Sequence, residues 1–278
     1  MATNNLQSAA EYLSHVYEIP GALPSLPLTD EYFVGKWRMA GGKDVPDFLA
    51  DELKLSAYDF LWQKPESLFI SFAHTLGGTL PVIGTGCHED FRAMEAILNG
   101  WKQSRELPVT VNAFTIEARA EPIYCHRLLL LNRAPYSNIP AEVLGLATED
   151  WLERSHRLRL RHECAHYETL RILGDMKNHA HDEILADALG QIAAFGRFDA
   201  ERQRIFFGLE RGKGIATGRL SFYCQKLLPK EREKVYRAVD TVLDSIEKHL
   251  DYLLAQNADE LTIFSALAGT SIAERMEC

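Results

Sequence analysis

The sequence has no CxxC pair, no internal repeat, no low-complexity tract and no long apolar run. Each absence excludes something. The five cysteines, Cys87, Cys125, Cys164, Cys224 and Cys278, are odd in number and far apart. Neither a disulfide framework nor a thiolate zinc cluster fits that spacing, and the pattern is that of reduced thiols in a cytoplasmic protein. A membrane-spanning helix needs roughly 18 consecutive apolar residues. The longest candidate, Leu261 to Ala273, is shorter and carries Ser, Thr and Gly. The first ten residues lack a basic and then apolar leader, so no secretory signal is expected. Positive charge is scarce as well: Lys+Arg 30 stand against Asp+Glu 39, a net charge of −9. A protein that tracks a nucleic-acid backbone needs a basic face, so no nucleic-acid partner is expected, and no membrane either.

What remains is an ordinary globular composition. Of 278 residues, 46% are hydrophobic and 25% charged, enough for a sizeable core without disulfides. The pattern divides the chain into a mixed half and a helical half, an α+β protein. In the first half, 6–16 reads as a helix, and Pro20, Pro24 and Pro27 then break regular structure. Helical spacing returns over 47–62 and 88–101. Strand composition marks 67–72, 80–83, 108–117 and the leucine run 126–131. From Thr148 onward the chain reads as helix. Thr148 caps the first, Glu149 and Asp150 sit in its opening turn, Arg171 closes it and Gly174 follows. Further helices are expected over 182–195, 229–256 and 259–276. Gly212, Gly214 and Gly218 mark a close-packed loop running to Tyr223. The domain boundary is expected near Gly174: residues 1–173 form a mixed α/β subdomain, and 174–278 a helical one.

The first long helix contains His162-Glu163-Cys164-Ala165-His166. Residues i and i+4 share a helix face, so two imidazoles at this spacing can hold one Zn²⁺. Glu163 lies about 100° round from His162, where a general base for an activated water belongs. Both histidines fall on the apolar stripe with Leu158 and Thr169. Arg157, Arg161, Glu168 and Arg171 mark the outer side. Two histidines need a further protein ligand. Glu183 comes seventeen residues after His166 and opens the next helix, and Asp187 is one turn on. A carboxylate there suits the hydrogen bond that fixes a metal-bound imidazole. The same residues also have an ordinary reading: two core histidines and a helix-N-terminal Glu favoured by the dipole. His179 and His181 read as loop histidines, and Cys164 as a buried inert thiol. A di-iron reading of Glu153-x-x-His156 and Glu163-x-x-His166 fails, because both motifs lie on one helix about 15 Å apart.

H-E-x-x-H followed by E-x-x-x-D resembles the gluzincin division of the zincin metallopeptidases, the thermolysin-like and minigluzincin arrangement. The resemblance covers His162 to Asp187. It implies a zincin-like fold with one Zn²⁺ per chain and a hydrolase acting on a peptide bond. His162, His166 and Glu183 would be the zinc ligands and Glu163 the general base. Asp187 would support His162, and Asp182 would orient His166. The family also has a substrate-binding edge strand, for which 108–117 and 126–131 are the two candidates. Its oxyanion donor has no fixed motif here. Tyr223 is the best candidate, with Arg219 beside it as a holder of carboxylates. Two other outcomes share the motif: a non-peptidic zinc amidohydrolase, and a non-enzymatic zincin-like binding protein with a structural metal. Substrate, specificity and oligomeric state have no signature in the sequence.

Overall fold

The computed structural model describes residues 8–277 apart from 22, 59 and 108–110. In chain order the helices are α1 (Ala9–Leu13), α2 (Val34–Arg38), α3 (Val45–Leu53), α4 (His88–Leu98), α5 (Thr148–Leu173), α6 (Ala180–Phe195), α7 (Ala200–Phe207), α8 (Arg219–Tyr223), α9 (Pro229–Ala255), α10 (Glu260–Ala268) and α11 (Ile272–Glu277). The strands are β1 (Phe69–Thr75), β2 (Gly78–Thr85), β3 (Ala113–Glu117), β4 (Arg127–Asn132), β5 (Leu209–Glu210) and β6 (Ile215–Ala216). The protein is α+β, mostly helical with a small mixed sheet. No helix among the described residues is long and apolar enough to cross a membrane.

The chain forms two compact units, one of Pro24–Asn138 and Ala147–Glu168, the other of Met1–Leu23, Ile139–Leu146 and Thr169–Cys278. The sequence reading placed one boundary at Gly174 and kept residues 1–173 together. The units divide inside α5 instead, because helix periodicity does not reveal which neighbours each turn of a long helix packs against. The first residues group with the helical unit. Tyr17 N–H donates to the Ala268 carbonyl, and Ala9 N–H donates to Glu231.

The sheet-containing unit is built on the strand order β1-β2-β4-β3. β1 and β2 form an antiparallel hairpin, β2 and β4 are parallel, and β3 runs antiparallel to β4 at the sheet edge. A parallel pair needs a long crossover, and α4 lies within it. One sheet face, with Ile83, Leu128 and Leu130, packs on Phe91, Met94 and Ile97 of α4 and on Trp37, Phe48 and Leu49 of α2 and α3. The other face, with Leu80, Val82, Leu129 and Leu131, packs on Cys164 and Tyr167 of α5. β4 is therefore covered on both faces, which is why it is a run of leucines and not an alternating strand. The 108–117 strand begins at Ala113, and 108–110 lie outside the described residues.

In the helical unit, α6 is buried over most of its length. α9 lays a buried stripe of Val235, Val239, Val242, Ile246 and Leu250 inward and turns its charges outward. Three local differences from the sequence reading have identifiable causes. The helix expected to reach residue 62 stops at Leu53, where Lys54 takes a left-handed conformation. The helix expected over 259–276 is two helices. Ser271 Oγ accepts from Glu274 N–H while Ser271 N–H donates to the Glu274 carboxylate, a capping box that starts α11 afresh. α7, capped by Asp199, is not among the helices whose bounds the sequence reading gave.

Candidate metal centre

In the sheet-containing unit, α5 runs unbroken through the H-E-x-x-H motif. His162 and His166 are 6% and 8% exposed, so both imidazoles are inside. Their Nε2 atoms stand 3.1 Å apart, with the rings nearly perpendicular at 85°. Two nitrogens at roughly 2.0–2.1 Å from one tetrahedral zinc sit about 3.3 Å apart, so this spacing fits a shared ion. The other ring nitrogen of His162, Nδ1, lies 3.0 Å from the Tyr136 hydroxyl. A partner on that nitrogen fixes the ring and its tautomer. Tyr136 was not singled out in the sequence, and nothing near it signals the role.

Glu163 is partly exposed on the same helix. Thr115, in edge strand β3, donates to Glu163 Oε2 at 2.8 Å and to the Glu163 carbonyl at 3.3 Å. Of the two candidate strands, β3 lies at an edge of the sheet and β4 is internal. The Glu168 expectation fails: it is fully buried. It accepts from Leu76 N–H at 3.0 Å and from Arg161 at 2.8 Å. The tight β1–β2 turn exposes an amide that needs an acceptor, and Glu168 supplies it.

In the helical unit, Glu183, Asp187, Arg219 and Tyr223 come together. Arg219 Nη2 donates to Glu183 Oε2 at 3.0 Å and to Asp187 Oδ2 at 2.8 Å. Gln203 donates to the same Asp187 oxygen at 2.6 Å. Tyr223 hydrogen-bonds Glu183, and burial, followed by the negative charge of Glu183, raises its phenol well above the ordinary range. The glycine segment delivers Arg219 and Tyr223. β5 and β6 pair around Gly212 and Gly214, both at positive φ. Gly218 then passes so close to Gly208 that a Cβ on Gly218 would lie 2.7 Å from the Phe207 carbonyl oxygen. The expected loop is there, but Arg219 and Tyr223 sit on a short helix, α8.

Asp182, expected beside His166, directs its carboxylate to residues of its own unit. It accepts from Tyr17 and lies 3.2 Å from His15 Nε2. Burial pushes this carboxyl up, but the neighbouring His15 imidazole and the bond from Tyr17 outweigh it and hold it below the usual range. His179 and His181 are not loop histidines. His179 caps α6 and His181 lies in its first turn, both buried. Burial lowers the two imidazoles to about 3 and about 4 respectively.

A family model matches residues 111–275, under the description "Family of unknown function (DUF7005)". The chain belongs to this family. The DUF7005 match covers β3, β4, α5 and the helices through α10, and so contains His162, Glu163, His166, Glu183, Asp187, Arg219 and Tyr223. His15 and the β1–β2 hairpin precede it. No curated protein and no solved structure matches this DUF7005 chain.

Proposed function

We propose that this DUF7005 protein is a zinc-dependent hydrolase, most simply a metallopeptidase of zincin-like fold. The observation that carries the reading is the pair of buried imidazoles on α5, Nε2 atoms 3.1 Å apart, with Glu163 beside them and tied to an edge strand. Two imidazoles at one helical turn suit a borderline-soft ion such as zinc. The third ligand in this reading is Glu183, from the E-x-x-x-D spacing of the sequence.

A zinc ion held there supplies Lewis acidity toward water and a carbonyl. The chain's own residues supply the rest. Glu163 takes a proton from the attacking water and passes it to the leaving nitrogen. Thr115 holds Oε2, and among the described residues Oε1 has no hydrogen-bond partner, so Oε1 is the atom that moves the proton. Tyr136 orients His162. Arg219 and Tyr223 position Glu183, and Tyr223, kept protonated by burial, acts through that carboxylate in place of the oxyanion role expected from sequence. β3 is the strand along which an extended peptide would lie.

The test is a peptide library offered to the zinc-loaded protein and to Glu163→Gln. The expected result is cleavage by the wild type and loss of turnover in Glu163→Gln with zinc retained. Full activity in Glu163→Gln would remove Glu163 from the mechanism. Cleavage of non-peptide amides alone would make the protein an amidohydrolase.

A further inference from the structure

A second group of donors lies wholly within the helical unit. His15, His181 and Asp182 each offer one ligand atom, and these atoms lie within 4.8 Å of one another. His15 Nε2 is 3.2 Å from Asp182 Oδ2. His15 Nε2, His181 Nδ1 and Asp182 Oδ2 are buried atoms with no hydrogen-bond partner among the described residues.

Two of the three side chains are held from their other end. His181 Nε2 lies 3.0 Å and 3.1 Å from the carbonyls of Leu267 and Thr270. Carbonyls only accept, so Nε2 carries the proton and Nδ1 keeps the lone pair. An imidazole that donates one N–H to a backbone carbonyl and presents the other nitrogen is arranged as metal-ligating histidines are. Asp182 Oδ1 accepts from Tyr17, which leaves Oδ2 turned to the cluster. The backbone N–H of His181 donates to His179 Nδ1, which fixes the first turn of α6.

An ion pair between His15 and Asp182 would use two of the three atoms. It would leave His181 Nδ1 a buried acceptor without a donor, at the cost that unsatisfied buried groups carry. A cation satisfies all three. We infer that His15, His181 and Asp182 form a second divalent-metal site, of the two-imidazole, one-carboxylate kind that takes Zn²⁺ and neighbouring first-row ions. It ties the N-terminal segment to the first turn of α6, and it stands independently of the H-E-x-x-H reading.

The experiment is Zn²⁺ titration of metal-stripped full-length His166→Ala protein, with and without His15→Gln. His166→Ala is expected to take up one equivalent, and the added His15→Gln to abolish it. No uptake by His166→Ala, or uptake unchanged by His15→Gln, overturns the site. His15→Cys in the same background guards against a folding defect. With Co²⁺ it should show a thiolate-to-cobalt charge-transfer band, which only direct ligation produces, and absence of the band counts against the site. Failure of the H-E-x-x-H reading is distinguishable: the wild type would then bind one equivalent, indifferent to His166→Ala and lost in His15→Gln.

Discussion

Thr115 on edge strand β3 donates a 2.8 Å hydrogen bond to Glu163 Oε2 on α5. It couples the edge of the sheet to the acid of the H-E-x-x-H motif. If Glu163 is the base, Thr115→Val should lower kcat between about ten- and a hundredfold through misplacement. Zinc content and KM should hold, and Thr115→Ser should restore turnover. Steady-state kinetics on the cleaved substrate checks this, and an unchanged kcat in Thr115→Val would contradict it.

Gly218 is constrained by space and not by φ. A Cβ there would meet the Phe207 carbonyl oxygen at 2.7 Å and Gly208 Cα at 2.9 Å, all backbone. Neither neighbour can swing away as a side chain can. Gly218→Ala should therefore cost about 2 kcal/mol, typical of overpacking. It should also disturb α8, which begins at the next residue and carries Arg219 and Tyr223. Urea denaturation measures the first effect. A stability equal to wild type would contradict it.

Glu168 is fully buried and holds both the Leu76 amide and Arg161. Glu168→Ala leaves a guanidinium that is 15% exposed without this carboxylate, and an amide without its acceptor. Removing one partner of such a pair costs about 3 kcal/mol. Glu168→Gln keeps an acceptor for Leu76 and should cost less. Equal stability of the wild type and Glu168→Ala, by chemical denaturation, would return Glu168 to the surface role its sequence position implies.

His126 carries a pH dependence of known sign. Its Nδ1 accepts from Trp37 Nε1–H at 3.2 Å, and its ring stacks on Phe33. Burial, with Lys36 nearby, pushes the imidazole below its ordinary value. The unfolded chain then takes up a proton near the ordinary pKa of about 6.5, while the folded chain resists it. The contribution is complete above about pH 6.5 and is lost as pH falls from there through the folded value. An NMR titration should find His126 below about 6.5. A value at or above that contradicts the burial argument.

Much of the fold was legible where the signal is local. α5 announced itself through its first-turn acids, Arg171 in its last turn and Gly174, although the helix starts at Thr148 and Ala147 takes the cap position expected of Thr148. The Leu128–Leu131 run announced a buried strand. The motif histidines were legible for the same reason, since one helical turn fixes their relation. What depends on distant partners was not. Glu168 faces inward because a hairpin turn more than ninety residues earlier needs an acceptor. Asp182 turns to His15 and Tyr17, and no spacing rule links α6 to the N-terminal segment. The sequence His179-x-His181-Asp182 was a signal for the second cluster, but its partner His15 has no pattern around it. The Ser271–Glu274 capping box was readable and marks the break that an uninterrupted apolar pattern conceals.

The most direct measurement for the central proposal is the zinc stoichiometry of the full-length wild type against His166→Ala, by elemental analysis after saturation and desalting. We expect the variant to hold one equivalent fewer than the wild type, since one lost imidazole opens the site on α5. Equal zinc in the two proteins would contradict a metal at His162 and His166, and the zinc hydrolase would fall with it.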